Sequence, residues 1–193
     1  MEVVVKSIIN IFTVIDGKIN LLMNNNKFIE IDCIDQLELV NNEYITNNIN
    51  IKNLNLKQCY TFSKKEEEKL ELNVLYIDVI NIDDIELNDK FNFIEIDNLD
   101  KKDKYIEKLL EYLKKELSLN STIKKIYPNE FVLPEIQKIY ETLFNKKYDR
   151  RNFRKKLIKL DVIEDLNKMS SNKLGRPAKL YRFKEIIEDK KLF

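Results

Sequence analysis

Short runs of β-branched and aromatic residues, separated by polar turns, fill the first hundred positions, and helical spacing takes over near Asp103. Val3 to Ile15 reads as a strand and Lys18 to Met23 as a second. Asp16-Gly17 between them predicts a two-residue type I′ turn, which needs positive φ at both central positions. Lys27 to Ile34, Ile51 to Phe62 and Phe91 to Ile96 read as further strands. Leu70 to Ile80 is nearly continuous apolar sequence, the pattern of a strand covered on both faces. Lys64 to Lys69, which holds Glu66, Glu67 and Glu68, reads as an exposed solvated turn.

Tyr105, Ile106, Leu109, Leu110, Leu113 and Leu117 recur at helical spacing and predict an amphipathic helix over 103–118. Its apolar stripe fits core packing and a dimer contact equally. Ser118 to Ser121 reads as a boundary, dividing the chain into domains 1–120 and 121–193. Pro134 opens a helix through Phe144, since first-turn N–H groups have no helical partner to lose. Asp149 is an N-cap for a helix over 150–160. Val162 to Leu166 and Ala178 to Lys184 read as strands around a polar loop, Met169 to Pro177. Helix, helix, strand, loop, strand is the order of a winged helix-turn-helix.

Composition excludes several chemistries. There is no His, which removes the commonest general base and zinc ligand. The two glycines, Gly17 and Gly175, are too few for a phosphate-cradling loop. Any catalysis would run on carboxylates, lysines or tyrosines. No metal site is expected, and Cys33 and Cys59 read as small buried apolar residues. No membrane span is visible, and Met1 to Ile9 lacks a cleavage-site pattern, so a cytoplasmic protein with reduced thiols is expected.

Charge is bipolar behind a net of +1. Residues 121–193 carry 14 Lys and 5 Arg against 10 Asp and Glu, a surplus of nine, and residues 1–120 carry 15 Lys against 23 acids. All five arginines lie between Arg150 and Arg182. That pattern predicts a basic module for a polyanion joined to an acidic domain. On a helix over 150–160, Arg150, Arg151, Arg154 and Lys155 share one side, while Phe153, Leu157 and Leu160 form an apolar seam on another. Arginine can fork onto guanine and Asn152 onto adenine, each bidentate contact being worth roughly 1–3 kcal/mol of discrimination. The predicted double-stranded DNA contacts are Arg150, Arg151, Asn152, Arg154, Lys155 and Lys156 on the helix, with Lys173, Arg176 and Lys179 in and beside the loop. Gly175-Arg176-Pro177 suits a wing that touches phosphates or enters a minor groove.

The pieces Leu133, Glu135-Ile136-Gln137, Tyr140-Glu141, DRRNFRKKL at 149–157 and GRPAKLYRF at 175–183 closely resemble the DNA-binding domain of the Nudix-related transcriptional regulators, the NrtR family. More faintly, Phe12 to Gly17 with the following Leu-Leu-Met resembles the opening hairpin of a Nudix-like domain. Leu56 to Phe62 resembles the segment after the Nudix box. The resemblance implies an α+β protein: a Nudix-like α/β domain followed by a C-terminal winged helix-turn-helix. It also implies a dimeric repressor linked to NAD metabolism, with an ADP-ribose-like effector and no other cofactor. The box itself departs from the family. Counting back from Leu56, its two glutamates fall on Asn47 and Asn48, its glycine on Asn50, and its preceding Arg and Glu on Glu43 and Tyr44. Neutral amides cannot replace paired carboxylates around a divalent ion, so no catalytic residue and no pyrophosphohydrolase activity are expected. Lys64, Lys65 and Lys69 are the basic residues left to hold a phosphorylated ligand. Two alternatives stand beside the regulator: a divergent Nudix hydrolase acting on ADP-ribose-like nucleotides, and a DNA-binding module without small-molecule input.

Overall fold

A computed structural model describes residues 2–32, 49–127, 129–170, 177–185 and 188–193, with only the backbone at Asp32 and Glu66. Contacts divide the chain into two units, Met1–Thr13 with Ile19–Asp100, and Val14–Lys18 with Lys101–Phe193. The 103–118 helix, placed with the first domain on sequence grounds, falls in the second unit.

The first unit is a mixed sheet built on β1 (Glu2–Ile15) and β6 (Lys69–Val79). They pair in parallel from Glu2↔Lys69 to Phe12↔Val79. β5 (Lys57–Glu66) lies outside β6, and β2 (Lys18–Asn24) then β8 (Phe91–Glu95) lie outside β1. β3 (Ile29–Asp32) pairs antiparallel with β1, from Lys6↔Asp32 to Ile9↔Ile29. Both faces of the central pair are buried. Ile9, Ile11, Val74 and Tyr76 join one core cluster, while the alternate residues Ile8, Phe12, Leu75 and Ile77 are buried as well. Asp16 and Gly17 have φ of 51° and 71°, the positive pair expected between β1 and β2.

Two strand expectations need correction. The 51–62 run is broken into β4 (Asn50–Ile51) and β5, because buried Asp78 draws the chain between them aside by accepting the Asn55 N–H at 2.7 Å. β4 pairs instead with β7 (Ile85–Glu86). The 64–69 turn shrinks to Glu67 and Glu68, since Lys64 and Lys65 remain paired across β5–β6 with Glu71 and Leu70. Cys59 is half-buried, and Cys33 lies outside the described residues.

The second unit begins with α1 (Lys104–Leu117), capped by Asp103, whose carboxylate accepts the Tyr105 N–H at 2.7 Å. Ile106, Leu109, Leu113 and Leu117 are buried within the single chain, so this stripe is core. The segment read as a boundary is instead structured: Leu119 leads directly into α2 (Asn120–Ile126). Asn120 and Thr122 are buried, and the C-terminal tail pairs with the start of the helix. The Asn120 side chain accepts the Lys190 N–H, Ser121 Oγ donates to Asp189, and the Leu192 N–H donates to Ser118 O. α3 (Leu133–Phe144) starts at proline as expected and ends at Asn145 in the left-handed region. α4 (Arg150–Lys159), β10 (Ile163–Met169) and β11 (Lys179–Phe183) follow. β9 (Phe131–Val132) completes an antiparallel sheet in the order β10-β11-β9.

Candidate nucleic-acid interface

Phe153 and Leu157 anchor α4 by one edge, both fully buried, with Leu160 half-buried beyond them. Phe153 stacks on Phe193 at 5.1 Å between ring centres and lies 6.1 Å from Tyr140. Tyr140 is buried and donates its hydroxyl to Leu117 O at 2.7 Å, tying α3 to the end of α1. The turn before α4 is fixed by Glu141, which accepts from the Gln137 amide and the Tyr148 N–H, both at 2.9 Å, and from Lys147 at 3.1 Å. Those three donors pull the Glu141 carboxyl down to about 2. Asp149 then caps α4 by accepting the Asn152 N–H at 2.9 Å.

With that edge buried, the rest of α4 is exposed: Arg150, Arg151, Asn152, Arg154, Lys155, Lys156, Ile158 and Lys159. These cations do not stand alike. Arg151, Lys155 and Lys159 follow one another at four-residue spacing, opposite the buried seam. Among the described residues no carboxylate pairs with Arg150, Arg151, Lys155 or Lys159. Arg154 leans toward the sheet, its guanidinium 5.9 Å from the Tyr181 ring centre and 3.9 Å from Asp165. Lys156 turns to the opposite flank, with Nζ 4.0 Å over the Phe193 ring. The single cationic side expected for Arg150, Arg151, Arg154 and Lys155 is therefore an outward ridge with Arg154 on its flank. Lys159 was missed, although its spacing from Lys155 and Arg151 reveals it.

The strand cations are neutralised. Lys179 donates to Asp165 at 2.8 Å, Arg182 to Glu164 at 2.7 Å, Lys168 to Glu130 at 3.0 Å and Lys184 to Asp161. Asp165 is held below the ordinary carboxyl range by the Lys179 hydrogen bond first and the Asn167 N–H second. Lys173, Gly175 and Arg176 lie outside the described residues.

The box positions Glu43, Tyr44, Asn47 and Asn48 also lie outside them. Asn50 sits in β4, hydrogen-bonded to Glu86. Lys64 and Lys65 are exposed on β5, and Lys69 lines a concavity with Glu2, Glu67 and Glu68. One ammonium among three carboxylates does not favour a phosphorylated ligand. Among the described residues no cluster of acids and cysteines could hold a metal, and no helix is long and apolar enough to cross a membrane.

A basic, N-capped helix packed on two helices and a three-stranded antiparallel sheet defines a winged helix-turn-helix of the DNA-binding class, here following a mixed Nudix-like sheet. Residues 125–183 match the NrtR DNA-binding winged helix domain. The fold of the chain extends the likeness. It is similar to Shewanella oneidensis NrtR complexed with a 27mer DNA (TM-score 0.69, 16% identity, covering 93% of each chain). The Shewanella oneidensis NrtR structure without that DNA gives TM-score 0.68 at 16% identity, covering 94% of each chain. A MutT/nudix family protein from Enterococcus faecalis gives TM-score 0.62 at 13% identity, covering 95% of this chain and 87% of that one. No curated protein sequence matches.

Proposed function

We propose that this chain is a DNA-binding transcription regulator of the NrtR type, a repressor acting as a homodimer, whose Nudix-like domain does no hydrolysis. The observation that carries it is the outward ridge of α4. Arg150 and Arg151 occupy the first turn with no acidic residue there. Cations at a helix N-terminus oppose the macrodipole and cost stability in the free protein, whereas phosphate at that end is favoured. Arg151 and Asn152 stand where recognition helices approach base edges, and Arg150, Lys155 and Lys159 stand where phosphates flank the groove. In a twofold dimer, half-sites would lie about one DNA turn apart or a multiple of it.

The Nudix-like domain serves as platform and sensor in this reading, and the amides at the box positions support the absence of catalysis. An ADP-ribose-like effector is the ligand the family relation suggests, and a thermal-shift titration with ADP-ribose tests it. Incubation with ADP-ribose and magnesium tests the absence of turnover. The decisive experiment is a gel shift of genomic upstream fragments with wild type and the R151A and R154A variants. Specific retardation weakened by both substitutions is expected. No retained fragment, or retardation indifferent to both, overturns the reading.

A further inference from the structure

Beside the recognition ridge, the α3–α4 turn and Phe193 enclose a concavity of about 450 Å³, floored by Tyr148, Phe153 and Phe193 and rimmed by Lys146, Lys147 and Lys156. Lys156 Nζ stands 4.0 Å over the Phe193 ring, and Lys146 Nζ 5.5 Å over the Tyr148 ring. Rings attract ammonium groups through their faces and thereby fix these flexible side chains at the rim. The Lys156 ammonium is held below the ordinary lysine range, first by lost hydration and then by the positive charge of Lys146. The two cations thus repel each other, and Asp149 brings one carboxylate to the same concavity. Asp149 is engaged as the α4 cap, and Glu141 by Gln137, Tyr148 and Lys147. Three ammonium groups beside one carboxylate leave a positive surplus in the free protein, and an external anion relieves it. Asn152 lines the same concavity, one helical turn before Lys156, so the anion would lie beside the base-reading end of α4.

We propose that this concavity is a second DNA-backbone contact, in which Lys146 and Lys156 hold a phosphate next to the bases met by Asn152. The inference rests on the DNA-binding reading above. Its test is anisotropy with a labelled mixed-sequence duplex over a series of salt concentrations, using K146Q, K156Q, their double variant and a K114Q control on α1. Each single substitution should make the slope of log affinity against log salt shallower, and the double by about 0.9 in all, the loss of one phosphate contact, with K114Q unchanged. The loss should be uniform across sequences, since a phosphate contact carries no base information. Wild-type slopes in K146Q and K156Q, or an equal effect of K114Q, overturn the proposal. So does stabilisation by millimolar inorganic phosphate without any change of duplex slope, which marks a small-anion pocket. A wild-type chain that binds no duplex defeats the DNA-binding reading itself. Binding sensitive to R151Q but indifferent to both lysines defeats this inference alone. Circular dichroism monitors folding, and exposed Lys146, outside any helix, carries the test if K156Q unfolds.

Discussion

Asp165 shares its carboxylate between two residues expected at DNA, and D165N separates their charges from it with little change of shape. Lys179 Nζ lies 2.8 Å and the Arg154 guanidinium 3.9 Å from the same Oδ2, while Oδ1 accepts the Asn167 N–H. Asparagine keeps the Oδ1 acceptor for Asn167 and loses the negative charge. The domain becomes more positive by one unit, and up to two cations are freed for phosphates. Counter-ion release then sets the size of the effect. Each additional phosphate contact steepens the slope of log affinity against log salt by about 0.9, so D165N should steepen it by about 0.9 to 1.8. Over a fourfold rise in salt this corresponds to an extra loss of affinity of about 3- to 12-fold, with a matching gain at low salt. Anisotropy with a mixed-sequence duplex measures both. The double variant D165N/K179Q apportions the gain, because residues in direct contact show coupling that single variants hide. An unchanged slope in a folded D165N protein refutes the reasoning and places Lys179 and Arg154 away from the phosphates.

Two further outcomes concern stability. Y140F removes the buried hydroxyl that donates to Leu117 O at 2.7 Å. It should cost about 1–3 kcal/mol with that carbonyl left unsatisfied, and lower Tm by a few degrees per kcal/mol; an unchanged melting curve contradicts the tie between α1 and α3. Glu141, held at about 2 in the fold, titrates nearer 4.3 when unfolded. Its contribution is therefore complete above about pH 5 and disappears as pH falls toward 2. E141Q should melt lower than wild type at pH 7 and show a flatter fall of Tm below pH 5; parallel profiles for the two proteins count against the Glu141 network.

Features governed by local rules were legible in the sequence. Asp16-Gly17, Pro134 and Asp149 each stand where the chain needs positive φ, a missing N–H or a side-chain acceptor, and the fold uses each that way. Features made by distant partners were not. α2 has the sequence Asn-Ser-Thr-Ile-Lys-Lys-Ile, poor in helix propensity and without a side-chain cap, and the tail at 189–192 is bonded to its start. β9 is two residues long and exists through pairing of Phe131 and Val132 with Tyr181 and Leu180. The parallel register of β1 on β6 joins segments more than sixty residues apart, and no periodicity reports it. On α4, spacing located the buried seam, but it could not show that Arg154 bends toward Asp165 or that Lys156 rests on Phe193.

The arginines, read from composition as one set, separate by their partners. Glu164 and Arg182 stand directly opposite each other across β10–β11, in a hydrogen bond that a strand pair makes for its own sake. Arg182 therefore adds little to the field a phosphate meets. Arg154 is divided between Asp165 and the Tyr181 ring, and so is available only when DNA outcompetes one carboxylate. Arg150 and Arg151 have no such partner among the described residues. Enrichment in arginine alone does not identify a nucleic-acid face, because a sheet can consume the same residues in cross-strand pairs. Enrichment that survives subtraction of those pairs is the sharper guide, and among the described residues it leaves the first turn of α4 and the ridge through Lys155 and Lys159.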